Sequence, residues 1–324
     1  MYNPPFSISS KAINLIAKIS AQIERYAIRM EQSDSLKLRK ANRIKTIHSS
    51  LAIEGNNLSE GEVMAILDGK NVIAPQKEIL EVRNAIKTYE LYPTLNPFSV
   101  EDMLKAHLTM MSGLVDEAGM FRRRGVGVFD GTTAVHIAPP ADRVKDLMND
   151  LFIWLENSED HLLIRSCVFH YEFEFIHPFA DGNGRIGRLW QSLILGKLNP
   201  LFEHLPVENM VYANQLAYYD AITRSSAKGD SQPFIDFMLQ EILNALEDRK
   251  GHTVDDIGLA NSLSENEIKI LGLIRSDRHM SAKRLAEEIG ASSRQIERIL
   301  AGLKERSIIR RVGANRNGYW EVIG

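Results

Sequence analysis

Apolar residues return at helical spacing from the start of the chain. Ile13, Ile16, Ile19 and Ile23 form one stripe, and Leu36, Ile44, Ile47 and Leu51 form a second, so two helices are expected in the first fifty residues. Gly55-Asn56-Asn57 stops the second, because glycine and asparagine tolerate the left-handed turn that ends a helix. Helical patterning resumes through Leu58 to Leu67, Glu78 to Tyr89, Val100 to Ser112, Ala141 to Leu155, Leu162 to Ile176, Arg185 to Leu198 and Gln232 to Leu246. A mainly α fold is expected. Within it Glu54 is oddly placed, a lone carboxylate in the last turn of an apolar pattern, where the helix dipole disfavours it.

One segment breaks the helical period. In G-V-G-V-F-D-G-T-T-A-V-H-I-A-P-P, Gly125 to Pro140, β-branched residues flank Asp130-Gly131, a dipeptide suited to a tight turn, which gives either a small β-hairpin on a helical body or an irregular connection. Between Asp248 and Ser262 the text turns polar and a different pattern follows; this marks a domain boundary.

Composition narrows the classes. At 324 residues, with 44% apolar and 25% charged residues, the chain can hold two packed domains. A net charge of −3 projects no overall field toward nucleic acid or membrane. The single cysteine, Cys167, allows no disulfide within the chain and no multi-thiolate metal site, which fits a reducing compartment. No apolar run approaches a membrane span, so a cytoplasmic protein without a membrane partner is expected.

The chemistry concentrates in H-P-F-A-D-G-N-G-R-I-G-R, His177 to Arg188. Glycines let backbone N–H groups approach an anion, and the helix that follows adds its positive dipole end. Arg185 and Arg188, three apart, share a helix face and can reach one polyanion. A histidine beside a proline is ordinarily structural, yet in this company a neutral His177 can take a proton from a hydroxyl that attacks phosphorus. Asp181 is one carboxylate, too few for a metal cage but suited to Mg²⁺ held largely by phosphates and water. Asn183 either donates to a phosphate oxygen, through side chain or backbone, or only tolerates the turn. Gly182 to Gly187 also fits G-x-G-x-x-G, with Glu203 placed like a ribose acid. However, His177 to Asp181 separate the glycines from any strand and no βαβ unit follows, so a dinucleotide fold is rejected.

At these residues the chain resembles the Fic family, whose signature H-x-F-x-[DE]-G-N-G-R-x-x-R is met by His177, Phe179, Asp181, Gly182, Asn183, Gly184, Arg185 and Arg188. The resemblance covers roughly Ser35 to Leu246 and divides the chain into an N-terminal helical region (1–95), a catalytic core (96–250), a linker (251–262) and a C-terminal domain (263–324). It implies a protein adenylyltransferase that moves AMP from ATP to a Ser, Thr or Tyr hydroxyl of a protein, the chain itself included. It further implies that His177 is the general base, that Asp181 holds Mg²⁺ and that Gly182, Asn183, Gly184 and Arg185 form the anion hole. Arg188 then binds the γ-phosphate, Tyr218 or Tyr219 walls the adenine, with Tyr219 preferred, and the hairpin is a flap that aligns the target by strand addition. S-L-A-I-E-G, Ser50 to Gly55, resembles the inhibitory pattern of the family's second class, in which the glutamate, here Glu54, pairs with Arg188. The alternatives are removal of AMP by the same site and a DNA-binding regulator that senses nucleotide.

From Leu263 the pattern is similar to a winged helix. Ser281 caps a helix ended by Gly290, Ser292 or Ser293 starts a second, and Ile308 to Val312 with Tyr319 to Val322 form a wing joined by G-A-N-R-N-G. Over 263–324 there are 12 Lys and Arg against 8 Asp and Glu, and Arg294, Gln295 and Arg298 can face a major groove. DNA, a second copy of the chain, or the target protein are each compatible partners.

Overall fold

A computed structural model of the chain describes residues 2–32, 35–125, 127–130, 133–247, 270–271, 273–274, 278, 280–289, 292–305, 309–312 and 319–322. It divides into two compact units, residues 1–249 and 250–324. The expected linker, 251–262, lies outside the described residues.

The larger unit is helical. Its helices are α1 (Ser10–Gln32), α2 (Ser35–Ile53), α3 (Glu60–Leu67), α4 (Gln76–Leu91), α5 (Val100–Met111), α6 (Ala141–Asn157), α7 (Leu162–Ile176), α8 (Asn183–Leu198), α9 (Val207–Ala213), α10 (Gln215–Lys228) and α11 (Gln232–Glu247). At its centre α7 and α8 pack on each other, with Phe169, Phe173, Ile186, Leu189 and Trp190 fully enclosed. A helix apolar on nearly all sides is a core helix, and α7 is covered in turn by α6 and α11. Trp190 donates its indole N–H to the Pro97 carbonyl (2.9 Å), which satisfies the one polar atom of a buried ring.

The ends of α2 and α3 show why Glu54 stands where it does. Gly55 adopts φ 89°, its N–H reaches the Ala52 carbonyl (3.0 Å), and the Asn56 N–H reaches Leu51 (3.1 Å). This is a Schellman stop, and only glycine takes the left-handed position without strain. Glu54 is therefore the cap residue. Asn56 and Asn57 then bond to Glu78 and Glu81 of α4, and Ser59 with Glu62 forms a capping box that starts α3.

The segment before α6 is a hairpin. Strands β1 (Gly127–Asp130) and β2 (Thr133–Ile137) run antiparallel with a register shift between Val128 and Phe129. Asp130 pairs with Thr133; Gly131, the second half of the expected turn, lies outside the described residues. The base of the hairpin is fastened by Arg122, which is 2% exposed. Its guanidinium donates to the carbonyls of His177 (2.7 Å), Arg124 (2.9 Å), Pro139 (2.6 Å) and Ile176 (3.2 Å). One side chain thus satisfies orphan carbonyls at the end of α7 and ties both approaches of the hairpin to them.

The smaller unit holds α12 (Ala282–Ile289), α13 (Ser293–Glu305) and the antiparallel strands β3 (Ile309–Val312) and β4 (Tyr319–Val322). Ile270, Leu285, Ile296, Leu303 and Ile309 are its buried centre. The Ser281 and Ser292 hydroxyls accept the Arg284 and Gln295 N–H groups (3.3 Å each), so the second cap is Ser292. Gly290 and the G-A-N-R-N-G segment lie outside the described residues.

Replacing Arg122 with methionine keeps the length of the side chain and leaves its buried carbonyls without a donor. The variant is expected to lose roughly 3 kcal/mol of stability in urea unfolding, and a loss below about 1 kcal/mol would show that the clamp carries little.

Candidate active site

The loop between α7 and α8 turns twice through left-handed conformations. His177, at φ 50°, is the one non-glycine residue with positive φ among the described residues, and Gly182, at φ 86°, is the cap of α8. Between them the loop is locked from inside. The Asn183 side chain accepts the Phe179 N–H (2.8 Å) and donates to the Phe179 carbonyl (2.9 Å). The oxygen and one N–H of the amide are thus spent on the loop, which is locked by Asn183. Its backbone N–H, with those of Gly184 and Arg185, belongs to the first turn of α8, where no intrahelical partner exists.

His107 of α5 holds the loop from outside. Its Nδ1 accepts the Gly119 N–H (2.8 Å), which places the ring proton on Nε2, facing the Asp181 carbonyl (2.9 Å). The ring stacks on Phe179 at 3.7 Å, and burial pushes its pKa down to about 4, so it serves as a neutral strut. Asp181 uses Oδ1 for both of its hydrogen bonds, from the Gly182 N–H (2.6 Å) and from Arg185 Nη2 (2.9 Å). Among the described residues Oδ2 has no hydrogen-bond partner, and the side chain is half-exposed. No group of three or more metal-binding side chains occurs among the described residues, so a cation here would need ligands from a bound molecule, which suits Mg²⁺ on phosphates.

Arg188 lies one turn deeper in α8 and is 4% exposed. It donates through Nε to the Ser50 hydroxyl (3.2 Å) and through Nη2 to the Ser50 carbonyl (2.9 Å) and Glu54 Oε1 (2.8 Å). Burial alone would lower its pKa, but the charges of Glu54 and Glu174 and the phenol of Tyr218 hold it above the ordinary value. Glu54 also presses on the backbone of α8: a Cβ at Gly184 would collide with Glu54 Oε1. A carboxylate from α2 therefore sits over the first turn of α8 and on its arginine, on the features that make a helix start bind anions.

Of the remaining expected residues, His177, Asp181, Gly182, Gly184, Arg185 and Arg188 share this one helix start, and Glu54 joins them from 134 positions away. Tyr219 is 47% exposed, within 3.5 Å of Gln215 Nε2, which also bonds the Ile53 carbonyl beside Glu54. Tyr218 is buried and shares a hydrogen bond with His170 Nε2 (3.1 Å). Arg122, His107 and Glu174 were not singled out from sequence. A signal for Glu174 lies in the sequence, an acid one helical turn before His177.

The chain is similar to several known proteins. The Fic/DOC family model matches residues 97–195. The solved structure of a Fic family protein from Desulfovibrio desulfuricans G20 is 41% identical over all of this chain and 99% of that one, with a TM-score of 0.73. Fic-1 of Caenorhabditis elegans, 21% identical over 78% of this chain and 74% of that chain, shares the fold at a TM-score of 0.57. Among curated proteins, the protein adenylyltransferase fic-1 of Caenorhabditis briggsae is 30% identical over 71% of this chain, and the protein adenylyltransferase Fic of Aedes aegypti is 32% identical over 60%. The chain spans less than half the length of these two relatives, 47% and 39%. With the full-length similarity to the Desulfovibrio protein and the complete signature loop, the chain belongs to the Fic/DOC family.

Proposed function

We propose that the protein is a self-inhibited adenylyltransferase that moves AMP from ATP onto a hydroxyl of a protein. The observation that carries this reading is the Glu54 carboxylate lying on Arg188 and against Gly184, an anion of the chain's own in a seat shaped for one. The names of the curated relatives support the class of reaction.

In this reading the backbone N–H groups of the first turn of α8, with Arg185, hold the phosphates of ATP, and Arg188 takes the γ-phosphate once Glu54 has left it. The oxygen of a target Ser, Thr or Tyr attacks the α-phosphorus while His177 accepts the hydroxyl proton. The new oxygen–phosphorus bond forms as the bond to the diphosphate oxygen breaks, and diphosphate leaves with its charge held by the arginines. Asp181 Oδ2 would hold Mg²⁺, which neutralises charge on the phosphates. The hairpin edge beside the site aligns the target's backbone by strand addition, and Tyr219 walls the base.

The test is incubation with ATP labelled at the α-phosphate and Mg²⁺. Losing one charge-assisted hydrogen bond is worth about 1.5–3 kcal/mol, so the Glu54→Gly variant should raise labelling of the protein or of a lysate target roughly ten- to a hundredfold. A folded Glu54→Gly protein that labels neither itself nor any lysate protein would sink the proposal. Adding His177→Ala to that variant should abolish labelling while ATP still binds by calorimetry.

For residues 263–324 the winged-helix reading is retained as a docking module. Gln295 and Arg298 are exposed three apart on α13, which supports a helix able to lie in a major groove. In gel shifts with genomic fragments, the full chain should bind at low salt and weaken with Arg298→Ala. No shift at low salt would remove DNA and leave a protein partner.

A further inference from the structure

Glu174 is an acid the mechanism above does not use, yet it lies inside the seam that carries the site. It stands on α7 one turn before His177, its carboxylate buried between α7 and α8. Oε2 is 3.9 Å from His177 Nδ1 and Oε1 is 3.8 Å from His170 Nε2. Oε1 has no hydrogen-bond partner among the described residues. Room for it comes from Gly187: a Cβ there would stand 2.9 Å from Glu174 Oε1 and 3.2 Å from His170 and Phe173. Position 187 is one of the free positions of the signature loop, and a side chain there would crowd the glutamate together with two buried rings.

Of its neighbours, His170 has no proton to offer it. His170 Nδ1 contacts Gln191 Oε1 (2.7 Å), an acceptor, and so carries the ring hydrogen. Nε2 then accepts from the Tyr218 hydroxyl (3.1 Å), and burial drives the ring's pKa down to about 3. Arg188 has turned Nε and Nη2 to Ser50 and Glu54. The ring nitrogen outside this relay that lies nearest the carboxylate is Nδ1 of His177.

We infer that Glu174 is a positioning residue for His177, its carboxylate taking the Nδ1 proton so that the ring is fixed with Nε2 toward the substrate hydroxyl. This rests on the reading of His177 as general base. The 3.9 Å gap is longer than a hydrogen bond and closes when substrate seats the ring, as catalytic hydrogen bonds do on binding. The groups that face Glu174 are Arg188 of α8, Glu54 at the end of α2, Tyr218 of α10, and His170 and His177 of its own helix. Burial raises its pKa, Arg188 lowers it and Glu54 raises it, with a net value of about 7.

The test combines a readout of the ring with one of the reaction. In the full chain carrying Glu54→Gly, long-range ¹H–¹⁵N spectra should show His177 protonated on Nδ1 above its titration midpoint. Adding Glu174→Gln should lower that midpoint by about one pH unit, the effect of removing one close opposite charge, and abolish the tautomer preference. Gly187→Ala, which displaces the carboxylate without removing it, should do the same if the glutamine variant folds poorly. With ATP, Glu174→Gln should cut kcat about tenfold to a hundredfold with KM for ATP within about twofold, and Glu174→Asp should recover part of the loss. An unchanged midpoint and tautomer in folded Glu174→Gln or Gly187→Ala protein would overturn the inference. If instead the spectra behave as expected and the Glu54→Gly parent transfers nothing, the positioning contact stands and the adenylyltransferase reading is what fails.

Discussion

Arg188 is a guanidinium inside a helical core, and a charge removed from water needs a partner of opposite sign close by. The partner is Glu54, 2.8 Å away at the end of another helix. Stripping one member from a buried pair costs about 3–5 kcal/mol, so Glu54 can leave only as another anion arrives or as the surrounding acids compensate. Much of the architecture serves this one contact. The Schellman stop at Gly55 places Glu54 at the cap, Ser50 holds two more of the guanidinium's hydrogens, and Gly184 lacks the atom that would exclude the carboxylate.

The two sides of the contact differ in how firmly they are held. The loop side is fixed by bonds that saturate it: Asn183 against Phe179, His107 against Asp181, Arg122 against the end of α7. These bonds lie within the loop and directly against it, so its backbone is held in shape by the chain's own groups. The α2 side ends on a carboxylate whose side chain is 30% exposed, beside asparagines that bond to α4. Displacement is cheaper at such an exposed end, as the proposed release of Glu54 requires.

How much of this the sequence disclosed follows from the physics of each part. The long helices were legible because the apolar stripe repeats every turn; α7, α8 and α11 begin and end within about two residues of the expected bounds. α9, only 7 residues between Pro206 and Asn214, is too short to repeat an apolar stripe, and α10 follows it directly at Asn214, so neither boundary is marked by the pattern. The signature loop could be read because its residues are contiguous, and Glu54 because a pattern around it is. Arg122 and His107 could not, because their partners lie 55 and 74 positions away and nothing local marks them. Y-E-F-E-F-I, which alternates like a strand, lies in α7, and Glu172 within it is buried where Tyr2 donates to it (2.9 Å). There tertiary packing overrides the local period.

The central claim is that Glu54 occupies the seat of the terminal phosphate, and it concerns one phosphate and not nucleotides in general. Calorimetric affinities for ATP and for ADP, each with Mg²⁺, in a His177→Ala background with and without Glu54→Gly, separate the two most directly. Removing the carboxylate should tighten ATP roughly ten- to a hundredfold and change ADP less than about threefold. An equal gain for both nucleotides, or none for ATP, would contradict the account.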